Sequence, residues 1–213
     1  MSPQLPDHIR TLETNLPIWD RFFTVAPLVL IGTKEADGYN LAPKHMVIPL
    51  GWDNFFGVVC TPRHRTYQNI AREQVFTVSY PRPTQLVLTS LAAAPRCGDD
   101  TKPSLLALPT FPATKVDGVF VKDASLFFEC ALHQIIDGFG VNSLIVGHIS
   151  AAHAQEDALR TSDRDDQEVI HGAPLLAYLS PGRIAAIQDS FSFPFSLDFT
   201  RWERKGKTVE HAS

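Results

Sequence analysis

Residues 27–80 set four β-prone runs in succession with one short helix among them. Residues 27–33 are rich in Val, Leu and Ile, and the Asp37-Gly38 pair that follows is a tight-turn signal. Residues 41–50 are expected to return as a second strand, residues 55–60 (FFGVVC) as a third and residues 74–80 as a fourth. Further strand runs lie at 125–136, 143–150 and 183–188. With so few helices between the strands, the pattern predicts a mainly β protein with peripheral helices, closed as an antiparallel barrel rather than a parallel α/β sheet.

Two details of the first half point toward a ligand. Pro43 falls inside the second strand, and a residue without an N–H belongs on a sheet edge or at a bulge. An edge there leaves backbone groups of residues 40–45 available to a partner. The basic loop Arg63-His64-Arg65 then leads into Thr66, which is expected to N-cap a helix over 67–73. A helix start with unpaired N–H groups, a hydroxyl and positive charge suits a phosphate monoester, and it suits a solvated basic surface about equally well.

The remainder is less specific. Residues 83–94 have helical composition and stop at Pro95. Residues 96–118 are rich in Pro, Thr, Gly and Asp and read as a long excursion, a length that is usually functional or disordered. Residues 155–168 are highly charged and read as a solvated loop or short helix, while the first 24 residues and the tail from Arg201 are expected to be peripheral. The aromatic groups Phe55-Phe56, Phe127-Phe128 and Phe191/Phe193/Phe195 are expected in the core or a subunit interface, with 191–195 also suited to covering a ring-shaped ligand.

Composition narrows the classes. At 213 residues one large domain spanning 1–213 is expected, with its core over about 20–190. A net charge of -4 argues against a general nucleic-acid binder, and no apolar run reaches the roughly 18 residues of a membrane span. The polar N-terminus lacks a signal-peptide core, so the expected location is the cytoplasm. Cys60, Cys97 and Cys130 form no CxxC pair; Cys60 and Cys130 end apolar runs and are expected to be buried free thiols. No set among the eight histidines has metal-ligand spacing, and Gly138-Phe139-Gly140 lacks the context of a dinucleotide fingerprint.

The order of several short elements resembles the flavin reductase-like family, the FMN-binding split barrels, over about residues 20–190. These elements are Asp37-Gly38-Tyr39-Asn40-Leu41-Ala42, then Thr66-Tyr67-Gln68-Asn69-Ile70, then Phe76-Thr77-Val78. Phe128-Glu129-Cys130, Leu144-Ile145-Val146-Gly147 and Pro174-Leu175-Leu176-Ala177-Tyr178 follow in the family's order. The resemblance implies FMN at a homodimer interface. It places Asn40, Leu41, Ala42, Pro43 and Lys44 along the ring or ribityl, and Cys60, Thr61, Arg65 and Thr66 around the phosphate. Lys102 is implied beside the ring, where positive charge would offset the negative charge gained on reduction. Asn142 and His171 complete the implied pocket.

For several of these residues a plainer role competes. Asn40 suits a turn, Lys102 an exposed loop, and His171 the surface. Three positions depart from the family's usual pattern: Lys44-His45 in place of Ser or Thr, Ser79 in place of Asn, and Asn142 in place of His. An amide at 142 can hydrogen-bond a flavin but cannot change charge near neutral pH. The implied activity is transfer of a hydride from NAD(P)H to FMN, with electrons passed to a second flavin, oxygen or a protein. The alternative is an FMN-binding electron carrier or sensor without nicotinamide turnover.

Overall fold

The computed structural model describes residues 5–161 and 163–192, so Phe193, Phe195 and the tail from Arg201 lie outside the described residues. The first half contains β1 (Thr24–Pro27), β2 (Val29–Glu35), β3 (Gly38–Lys44), β4 (Val47–Pro49), β5 (Phe55–Cys60), α1 (Arg65–Glu73) and β6 (Val75–Tyr80). The second contains α2 (Leu86–Leu91), β7 (Thr110–Pro112), β8 (Val119–Val121), β9 (Leu126–Phe139), β10 (Asn142–Ala154), α3 (Asp166–Gly172), β11 (Leu175–Ser180) and β12 (Arg183–Ile187). The protein is mainly β with peripheral helices, as its sequence predicts.

Seven strands form one antiparallel sheet in the order β3-β2-β6-β9-β10-β5-β4. Its two edge strands are consecutive in the chain, joined only by His45 and Met46. Laid flat, seven strands would hold those edges about 29 Å apart, and the connection reaches only about 10 Å. The sheet therefore curls until its two edges meet at a seam, which the chain crosses with β4 following β3 end to end in the same direction. The single strand expected over 41–50 is thus two strands on opposite edges, broken at the seam.

Alternation along the strands then fills both faces of the curl. Val29 and Ile31 of β2, Phe56 and Val58 of β5, Phe76 and Val78 of β6 and Ile145 of β10 form the inner core, with Ile70 of α1 packed into it. Residues of the other parity, Leu30 and Leu41, face outward under a second layer made of Ala92, Leu108, Val119 and Val121. That layer comes from the excursion after α2, which contains a 3-10 turn (Pro103–Ala107) and β7, paired with β8. Fully burying a side chain of this size stabilises by about 1.5–3 kcal/mol, so the excursion is anchored, not loose.

A smaller sheet, β1-β11-β12, adjoins the seam, and His45 stacks on Tyr178 of β11 with ring centroids 4.1 Å apart. Cys60 and Cys130 are buried free thiols, as expected, and Cys97 is an exposed one.

Candidate functional site

Among the described residues β3 pairs with β2 alone, so the other side of the strand is open and a residue without an N–H is tolerated there. Asn40, Ala42 and Lys44 share the parity opposite to Leu41, cross-strand from Thr33, Ile31 and Val29. Asn40 is only 3 % exposed, and its Oδ1 has no hydrogen-bond partner among the described residues. An orphaned buried acceptor costs about 1–3 kcal/mol, so a strand that keeps one has a use for it. Its neighbour Thr33 is satisfied by Asn69 of α1, whose Nδ2 donates to Thr33 Oγ1 at 3.0 Å and to Glu35 Oε1 at 3.3 Å.

Lys102 reaches this open edge from the excursion. Its Nζ donates to the carbonyl oxygens of Leu41 at 3.1 Å and Ala92 at 2.6 Å. Burial lowers its pKa first, and the charges of Arg96 and Lys44 lower it further against the pull of Glu35. No carboxylate among the described residues forms an ion pair with Lys102 or Lys44. The edge of β3 thus carries two cations without carboxylate partners.

Lys44 also links the edge to the basic loop. Its Nζ lies 3.4 Å from His64 Nδ1, and Cys60 Sγ lies 3.9 Å from the same nitrogen. Burial, then the Lys44 charge, lowers the His64 pKa, and an ammonium can only donate, so Nδ1 accepts in its contact with Lys44. His64, not Thr66, is the N-cap of α1: the helix begins at Arg65, and Thr66 is buried in its first turn. Among the described residues no side chain caps this N-terminus, and no acidic residue lies in its first turn. Its first amides are free donors at the positive end of the helix.

Asn142 opens β10 one step from Ser143, which is paired with Cys60, so it stands beside the start of the Thr61 loop. No hydrogen bond or ring contact among the described residues joins His171 to this cluster. It lies exposed in the last turn of α3, a helix tied by Gln167 to Ser190. Ser79 is occupied elsewhere, its Oγ accepting from the Val121 amide at 3.1 Å.

A cleft of about 620 Å³ runs along the β3 edge, lined by Glu35, Tyr39, Leu41, Arg65, Asn69 and Lys102 among others. Two residues that fix the excursion were given no role by the sequence, Glu129 entering only as the middle of the Phe128-Glu129-Cys130 element. Glu35 accepts from Asn69 and pairs with Arg96, which fixes the start of the excursion. Glu129 fixes its end: fully buried, it accepts from the amides of Thr114, Lys115 and Val116, from Thr114 Oγ1 and from His153 Nε2. Burial pushes its carboxyl pKa up, but the hydrogen bonds from Thr114, Lys115 and His153 outweigh it and hold the value at about 2. The clamped loop then presents Asp117, which accepts from Tyr39 of β3 and pairs with Lys34 at 3.3 Å. Among the described residues there is no cluster suited to a metal ion, and no helix is long and apolar enough to cross a membrane.

The curled seven-stranded sheet with its peripheral helices is that of a split barrel. The chain belongs to the flavin reductase-like family, whose domain model matches residues 22–180. Among solved structures, a flavoredoxin from Methanosarcina acetivorans is 20% identical with a TM-score of 0.71, covering 89% of this chain and 97% of that one. An FMN-binding protein from Thermus thermophilus is 19% identical with a TM-score of 0.71, covering 86% and 99%. A 2-nitrobenzoate 2-nitroreductase from Pseudomonas fluorescens is 18% identical with a TM-score of 0.68, covering 84% and 88%. Such identities show a shared fold. No curated protein matches the chain.

Proposed function

We infer that the protein is an FMN-dependent oxidoreductase of the flavin reductase type, which takes a hydride from NAD(P)H and passes electrons to a second flavin, oxygen or a protein acceptor. The observation that supports this is a set of three features on β3 and at the helix start that follows it. They are the orphaned Asn40 Oδ1, the cations Lys44 and Lys102, and the uncapped start of α1 with Arg65 beside it. An FMN ring offers an N–H donor and polar carbonyls, and its phosphate suits the helix start.

The bound flavin supplies the hydride-accepting chemistry; the chain orients it and sets the charge around it. Asn40 and the β3 backbone hold the ring edge, and Lys102 balances the negative charge gained on reduction. Arg65, Thr66 and the loop from Thr61 hold the phosphate, with Lys44 between the two groups. No general base is needed. A homodimer fits the same surface: Met46, Ile48 and Trp52 leave an exposed apolar edge at β4, beside the seam.

Asn142 favours a second reading, an FMN-binding electron carrier, because an amide there cannot follow a proton. Anaerobic addition of NADH and NADPH to the FMN-loaded protein separates the two. Bleaching of the flavin band supports the reductase, and a band that bleaches only with dithionite supports the carrier.

A further inference from the structure

Arg65, the side-chain cation nearest the helix start, is already engaged by a carboxylate of this same chain. One of its terminal nitrogens donates to Asp100 Oδ2 and the other to Gln68 Oε1 at 3.4 Å. We propose that Asp100 is a built-in competitor for the phosphate monoester at Arg65, and that it makes FMN an exchangeable ligand of this protein. The proposal rests on the FMN reading above.

The carboxylate is delivered by a constructed turn. Cys97 donates its N–H to the Thr101 carbonyl at 2.8 Å, and Asp100 donates to the Cys97 carbonyl at 3.0 Å. Asp99 Oδ1 accepts from both the amide and the hydroxyl of Thr101, at 3.1 and 2.7 Å. Arg96 Nη1 donates to the Asp100 carbonyl at 2.6 Å. Within this turn Asp100 takes a left-handed conformation, φ 64°, which Asp, Asn and Gly tolerate best.

The pair is also built to open. Arg65 and Asp100 are about half exposed, so neither is locked by packing. Asp100 has a second cation to keep, because Arg96 Nε lies 3.8 Å from its Oδ1. Arg65 can therefore change partner without stranding the carboxylate. A phosphate carries more charge and more acceptor oxygens than a carboxylate, so it wins the guanidinium, but it must do so against a nearby like charge. The result is weaker retention and faster release than Arg65 alone would give. Arg65, Asp100 and Lys102 line one continuous cleft, so the exchange takes place beside the ring site.

The test is a fluorescence titration of FMN and of riboflavin into Asp100→Asn and Asp100→Gly, both of which keep the left-handed turn, together with the FMN release rate. Asp37→Asn serves as the charge control, since Asp37 lines the same cleft on an exposed turn. The expected result is FMN bound about threefold to fivefold more tightly by both Asp100 variants, as loss of an exposed charge contact implies. Riboflavin affinity should stay within about twofold and Asp37→Asn should match the parent. Unchanged or weaker FMN binding would show that Asp100 positions Arg65 and would overturn the proposal. An equal gain in Asp37→Asn would reduce it to bulk charge and overturn it too. Arg65→Ala separates the layers: if that variant keeps full FMN affinity, the phosphate assignment itself fails, whereas a loss there with no gain at Asp100 removes the competitor alone.

Discussion

The ammonium of Lys102 lies 3.1 Å from the carbonyl oxygen of Leu41, across the open edge of β3 and 61 residues away in sequence. One contact joins the excursion to the strand that the ring is proposed to meet. The cation is half-buried and has no carboxylate in an ion pair with it among the described residues, so its charge is available to a ligand. Lys102→Met should make the potential of bound FMN more negative, because a charge-assisted contact separates the two oxidation states by roughly 1.5–3 kcal/mol. Spectroelectrochemistry checks this, and an unchanged potential would remove Lys102 from the site.

Asn40→Leu is expected to separate stability from binding. It removes a buried acceptor that has no partner, so the flavin-free protein should become more stable, by about 1 kcal/mol. FMN affinity should fall about tenfold or more for the loss of a buried hydrogen bond to the ring. Thermal unfolding with and without FMN reads both. A destabilised variant with unchanged FMN affinity would make Asn40 a structural residue only.

Glu129 sets an acid limit on the fold. Its pKa falls from the ordinary 4.5 to about 2 on folding. Its contribution is therefore complete above pH 4.5 and lost as pH drops through about 2, a difference of roughly 3 kcal/mol. Urea unfolding measured between those pH values should show stability declining toward acid, and Glu129→Gln should be less stable at neutral pH with a flatter acid slope. Equal slopes in the two proteins would place the acid sensitivity elsewhere.

Gly32 tests the seating of the outer layer. A Cβ there would meet Thr77 Oγ1 at 2.3 Å and the Val119 carbonyl at 2.8 Å, the two groups that hydrogen-bond each other at 2.6 Å. Gly32→Ala should cost about 1–3 kcal/mol in chemical denaturation. A neutral substitution would mean that β8 is not held against β2 and β6 as described.

Much of this was legible in the sequence because it is local. The apolar runs, the Asp37-Gly38 turn, the edge position of Pro43 and the buried Cys60 and Cys130 all follow from composition within a few residues. The break at His45-Met46 was not, since only the closure of seven strands reveals that residues 41–50 serve both edges. Thr66 was expected as the cap because its hydroxyl suits one, but the chain turns two residues earlier, at His64. The partners of Glu35, Glu129 and Asp100 could not be read from the sequence, although Glu129 lies within the Phe128-Glu129-Cys130 element. Glu35 meets Arg96 61 residues on, and Arg65 meets Asp100 across 35, distances at which only the folded topology chooses partners. His171 depended on the family pattern alone, and it stands exposed in the last turn of α3.

The central claim is that the β3 edge and the α1 start form one FMN site, and the most direct measurement is a paired titration of FMN and riboflavin against the parent and Arg65→Ala/Thr66→Ala. The account predicts that the parent prefers FMN, and that the double variant loses about tenfold or more in FMN affinity while riboflavin changes less than about twofold. Equal losses for both ligands, or none for either, would contradict it.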